Sequence, residues 1–128
     1  MKGEKLKIAK KMSKTIVFDV DETILTTKNR DYGNSQPIYE IVDKMKILKE
    51  NGWKIVLHTA RGMGRSGGDI EKVYKKVEAE VVKSCKKHNI PYDELILGKT
   101  WATAYVDDKA MTPKDFVDNF ENLLKGKQ

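Results

Sequence analysis

Cysteine is almost absent from this 128-residue chain, and Cys85 stands alone. No internal disulfide can form, and a catalytic thiol would need a base partner that nothing nearby supplies. Cys85 falls on the apolar face of a predicted helix, where a buried structural thiol is expected. Long apolar runs are also missing, and none approaches the roughly 20 residues needed to span a membrane. The N-terminus carries lysines but lacks the apolar segment of a secretory signal. The run Gly62–Gly68 (GMGRSGG) lacks the Gly-Lys-Ser/Thr ending of a P-loop. One soluble, cytoplasmic domain with one core is expected.

The formal net charge is +6, a balance compatible with nucleic acid, a membrane surface or an anionic substrate. Six lysines lie within residues 1–14, so much of the excess belongs to a basic N-terminal extension, read as solvated. The domain proper is residues 15–128.

Apolar runs at about 15–20, 53–58, 94–97 and 103–106 read as strands. Residues 26–37 (TTKNRDYGNSQP) read as a loop or flap. A helix is predicted from about 37 to 50, with Pro37 in its first turn, Ile38, Ile41, Val42, Met45 and Leu48 inward, and Asn51-Gly52 as its stop. A second is predicted at 69–88, with Asp69 as N-cap and Ile70, Val73, Tyr74, Val77, Val81 and Cys85 buried. The last begins at Thr112-Pro113-Lys114-Asp115, and Phe116, Val117, Phe120, Leu123 and Leu124 form its apolar face. Strands alternating with helices argue for a parallel α/β sheet.

The stretch Phe18-Asp-Val-Asp-Glu-Thr-Ile-Leu25 carries the most chemistry. Asp19 and Asp21 lie two residues apart at the end of a strand, so the period of two sends both carboxylates to one side. Two like charges so placed call for a cation between them, the arrangement a Mg2+-dependent phosphoryl-transfer site uses. Three later strands end suitably: Val-Leu-His-Thr-Ala-Arg (56–61) in a hydroxyl, Leu-Ile-Leu-Gly-Lys-Thr (95–100) in a lysine, and Tyr-Val-Asp-Asp-Lys (105–109) in paired carboxylates.

In this order, over about residues 15–120, these segments resemble the four motifs of the haloacid dehalogenase (HAD) superfamily of phosphatases. HTARGM, YDELILGKTWA and YVDDKAMTPKDF further resemble small phosphatase-like proteins found with capsular polysaccharide biosynthesis, although Thr100 replaces the proline of that pattern. The resemblance implies a three-layer Rossmann-like core with a central parallel sheet of four or five strands. No gap between motifs is long enough for a large cap. It implies Asp19 as nucleophile, Asp21 as general acid/base, Thr59 as a donor to the phosphoryl oxygens, and Lys99 as the charge offsetting nucleophile and phosphate. It places Mg2+ among Asp19, Asp21, Asp107 and Asp108. Glu22 stands where glycine is commoner and is given no role.

Beside that resemblance, Arg61 and Trp101 are candidate substrate contacts, with a solvated loop charge as the equal alternative for Arg61 and the better one for Arg65. His58 is directed away from Thr59 by strand alternation, His88 reads as a helix-end residue, and Trp53 reads as core. The expected activity is hydrolysis of a small phosphorylated metabolite, such as a sugar phosphate, through an aspartyl-phosphate. Alternatives are a phosphatase for nucleic-acid 3′ ends or phosphoproteins, and a non-catalytic module binding nucleic acid or a partner. Nucleic acid is the less favoured substrate, because no basic-and-aromatic stacking platform is evident in the sequence. Capless members either form homo-oligomers or accept large substrates, and both are left open.

Overall fold

The computed structural model describes residues 14–63 and 70–126. Residues 1–13 of the basic extension, Arg65, most of the glycine-rich loop and the Asp69 cap lie outside the described residues. The elements run β1 (Thr15–Phe18), β2 (Leu25–Thr26), a 3-10 turn (Tyr32–Asn34), β3 (Gln36–Pro37), α1 (Tyr39–Glu50), β4 (Lys54–Thr59), α2 (Ile70–Lys87), β5 (Glu94–Leu97), α3 (Pro113–Asp118) and α4 (Phe120–Leu124).

The main sheet is parallel with order β1-β4-β5, and the register pairs Phe18 with Leu57 and Thr59 with Leu97. The carboxyl ends of all three strands therefore open at one edge. The central strand β4 buries Ile55, Val56, Leu57 and Thr59. Near-continuous burial marks a parallel strand covered on both faces. Around it the core gathers Phe18, Ile24, Leu25, Met45, Leu48, Val81 and Phe116, together with Trp53. Phe18 meets Phe116 edge-on at a centroid separation of 5.2 Å, which ties β1 to the C-terminal helices.

Local rules account for the helix ends. Asn51 caps α1, and Gly52 continues at φ 85°, where a side chain would be strained. Thr112 accepts the amide hydrogen of Asp115 at 3.0 Å, and Pro113 opens α3. The C-terminal helix breaks at Asn119, whose φ and ψ of −109° and 15° are not helical, and still buries Phe116, Phe120 and Leu123.

Several expectations need correction. Among the described residues the main sheet has three strands, not four or five. Residues 103–106 form no strand: Val106 is 99% exposed, and Val17 on the open edge of β1 is 57% exposed. The Tyr105 hydroxyl donates to the Thr100 carbonyl (2.5 Å) and accepts from the Ala102 amide (3.2 Å), folding that segment on itself. Pro37, read as helical, pairs instead with Leu25 in the β2–β3 hairpin, and α1 begins after it. A two-residue strand asks little of a residue without an amide hydrogen. The hairpin gives the segment read as a loop a defined form, with Thr27 and Ser35 hydroxyls 2.6 Å apart. In α2, Val77, Val81 and Cys85 are buried as expected, but Ile70 is exposed.

Asp93 closes the far end of the sheet. Its carboxylate accepts the Ile55 amide at 2.7 Å and pairs with Lys49. The Ile55 amide first, then Lys49, hold its pKa below the usual value. A lowered folded pKa stabilises the protein at pH above the unfolded value of about 3.9 and is lost as pH falls through the folded one. Asp93→Asn should therefore cost about 1–2 kcal/mol at pH 7 by urea unfolding, a difference that shrinks as pH falls through the folded pKa of Asp93.

Candidate active site

The chain turns sharply after β1. The amides of Thr23, Ile24 and Leu25 all point to the Val20 carbonyl at 3.0–3.2 Å. Buried Val20 anchors this turn, and Asp19 and Asp21 flank it. Glu22 sits at φ 61° in the left-handed region, which explains why glycine suits this position. Its carboxylate accepts from the Thr26 hydroxyl (3.1 Å) and the Thr27 amide (3.3 Å), locking the turn to the hairpin. Glu22 thus has a structural part that sequence reading did not assign.

Beyond the sheet edge lies an open cleft of ≈ 520 Å³. Asp19, Asp21, Thr59, Arg61, Lys99 and Trp101 all line it, so six of the eight candidate residues share one site. The Asp19 carboxylate receives the Thr23 hydroxyl at 3.3 Å and the Lys99 ammonium at 3.4 Å. Both contacts are long, so its oxygens keep lone pairs for another partner. Thr59 is buried, and its hydroxyl accepts the Arg61 amide at 3.0 Å, leaving its own hydrogen to donate. The Lys99 amide bonds the Thr59 carbonyl at 3.1 Å, which fixes the end of β5 to the end of β4.

Arg61 is not a solvated loop charge. Its side chain is 3% exposed and grips Asp21 with two bonds, Nη2 to Oδ1 at 2.7 Å and Nε to Oδ2 at 3.1 Å. The ring of Tyr32 lies 4.2 Å from the guanidinium, and Glu80 approaches Nη1 to 3.5 Å, too far for a hydrogen bond. Burial pulls the Arg61 pKa down, but hydrogen bonding and charge from Asp21, with Glu80 and Tyr32, outweigh it and leave the pKa raised. With its fork committed to Asp21, Arg61 positions that carboxylate.

Asp107 and Asp108 do not join the cleft lining. Both are exposed, and Asp107 accepts the Lys109 amide at 2.8 Å in a local turn. Their segment forms no strand beside β1, so nothing carries their carboxylates to the Asp19 end. Among the described residues no cluster of three or more His, Cys, Asp or Glu forms a metal cage. Asp19 is the cleft carboxylate that would hold a Mg2+, an ion that uses few carboxylates and keeps several waters. Asp107, which the resemblance implied as a direct ligand, and Asp108, implied to bind through water or orient Lys99, do not join Asp19 and Asp21 in the cleft lining.

Sequence reasoning missed Arg30, Tyr32 and Tyr105, which also line the cleft. Arg30 and Tyr32 belong to a polar flap without periodicity, and Tyr105 carried a strand pattern; only the folded path shows their destination. His88 is also more than a helix-end residue: its Nε2 lies 3.1 Å from the Ser35 carbonyl, joining α2 to the hairpin. Cys85 is buried, and burial pushes its thiol up to about 11, so it stays protonated at neutral pH.

No protein-family model and no curated protein matches the chain. Among solved structures it is similar to a structural-genomics target from Vibrio cholerae, at 27% identity and a TM-score of 0.77, covering 90% of this chain and 99% of that one. It is also similar in fold to a chain of the Pnkp1/Rnl/Hen1 complex, at 19% identity and a TM-score of 0.51, covering 84% of this chain. A further structure, described as the Pnkp1/Rnl/Hen1 RNA repair complex, matches at 20% identity and a TM-score of 0.53, covering 91% of this chain. This chain spans only 35% and 32% of those two chains.

Gly98 sets up Lys99. It has φ 85°, and a Cβ there would meet the Tyr74 hydroxyl oxygen at 2.8 Å. Gly98→Ala should cost about 1–3 kcal/mol in chemical denaturation. Adding Tyr74→Phe should recover the part due to the clash but not the part due to φ.

Proposed function

We propose that this cleft hydrolyses phosphate monoesters through an aspartyl-phosphate. The supporting observation is the convergence of Asp19, Thr59 and Lys99, from the ends of three parallel strands, on one open cleft. An Asp19 oxygen attacks phosphorus, a bond forms between them, and the bond to the leaving oxygen breaks. The leaving oxygen takes a proton from solvent in the open cleft; Asp21, held as a carboxylate by Arg61, takes a proton from the water that attacks the phosphoenzyme and returns it to solvent. Inorganic phosphate leaves and Asp19 is restored. The Thr59 hydroxyl and Lys99 ammonium stabilise the charge spread over the phosphoryl oxygens. Mg2+, held through Asp19, would supply further neutralisation of that charge.

No large cap closes over the cleft among the described residues, so the leaving group can be a small metabolite or the end of a larger molecule. The likeness to a chain from an RNA repair complex adds weight to a nucleic-acid-related substrate. The sugar-phosphate reading rests on the motif resemblance alone.

Phosphate release from a panel of sugar phosphates, nucleotides and 3′-phosphorylated oligonucleotides tests this. Asp19→Asn, or chelation of divalent metal, should abolish release. Thr59→Val and Lys99→Met should each lower kcat by about 10²-fold or more. Cys85→Ala should keep kcat near that of the parent. Turnover by Asp19→Asn at the parental rate would remove Asp19 as nucleophile.

A further inference from the structure

We infer that the cleft takes a nucleotide, with the phosphate at Asp19 and Lys99 and the base stacked on Trp101; this rests on the phosphatase reading of the same site. Trp101 lies two residues after Lys99, lines the cleft, and is 71% exposed. So large an indole left open beside a candidate phosphate site is a ready surface for a flat, uncharged ring.

The loop that presents it is braced on both sides. The Tyr105 hydroxyl ties Thr100 to Ala102 across Trp101, and the Tyr105 ring packs under the Lys99 ammonium at 4.3 Å. Phosphate-binding charge and stacking surface are therefore parts of one short unit, and little ordering is left for binding to impose. Arg30, from the tip of the hairpin, also lines the cleft and adds a cation within it. An exposed aromatic beside cations that can meet phosphate is the combination by which single-stranded nucleic acid and nucleotides are held without base-specific hydrogen bonds. A sugar phosphate would use the cations and leave the indole idle. The free nucleotide and the phosphorylated end of a strand share this chemistry.

The test uses the full chain carrying Asp19→Asn, so that ligand is not consumed. It is titrated with a nucleoside monophosphate, a short 3′-phosphorylated single-stranded oligonucleotide, and ribose 5-phosphate, with affinity read by calorimetry in every variant and contact with Trp101 read by indole emission in the Trp101-bearing chain. Trp53 is only 7% exposed, so a ligand-induced change reports Trp101. The two base-bearing ligands should quench emission and ribose 5-phosphate should not. Trp101→Ala should weaken the base-bearing ligands about tenfold or more, the lower end of a single stacking contact. Trp101→Phe should largely restore them, and ribose 5-phosphate should bind alike throughout. Tighter, salt-sensitive binding of the oligonucleotide would identify a strand end as the source, and equal binding a free nucleotide. Base-bearing ligands that neither quench nor respond to Trp101→Ala would overturn the proposal. If phosphate release by the parent chain nevertheless depended on Asp19, the phosphatase reading would stand without it. Trp101-dependent binding with no release from any substrate would mean the opposite.

Discussion

One guanidinium holds the site side of this molecule together. Arg61 follows the central strand, grips Asp21 from the turn after β1, lies against Tyr32 of the hairpin and approaches Glu80 of α2. Four separate parts of the chain meet at a side chain almost wholly withdrawn from water. A charge so buried is tolerated only with its counter-charge in place, so the pair commits the turn, the strand end and the flap to one arrangement. The same contact decides where Asp21 stands in the cleft.

Around that point the parallel sheet supplies geometry and the turns supply direction. The β1-β4-β5 register aligns three carboxyl ends, and the tight turn about Val20 sends Asp19 and Asp21 outward together. Gly98, in a conformation side chains disfavour, lets β5 deliver Lys99 past Tyr74. Carboxylate, hydroxyl and ammonium thus reach one cleft from residues far apart in the chain, as open parallel sheets generally allow at their carboxyl edge. Residues 99–105 take no strand form and serve as a wall of the cleft. Its aromatic residues, Trp101 and Tyr105, face the same cleft as the charges.

Much of this was legible from local pattern. Two carboxylates spaced by two after an apolar run had to emerge together, and Asp19 and Asp21 do. Thr59 and Lys99 were recognisable because Thr59 closes an apolar strand and Lys99 stands one glycine beyond another. The burial of Cys85 and Trp53 followed from their apolar surroundings, and the Thr112 cap from the chemistry of side chain and amide. Asp107 and Asp108 show where that logic stops. Their strand was a four-residue pattern, too short to separate a strand from a loop, and the Tyr105 hydroxyl turns that segment back on itself.

The sequence by itself determined the three parallel strands, the helices between them and the identity of the polar groups at the strand ends, because these depend on side-chain period and on contacts within a few residues. Tertiary structure alone decided that Arg61 would serve Asp21 rather than solvent, that Arg30 and Tyr32 would reach the cleft, and that Asp107 and Asp108 would remain outside it. Those outcomes depend on which distant groups share a desolvated volume. A guanidinium's partner is set by the pairing of strands that bring residues 21 and 61 together, and no local spacing encodes it.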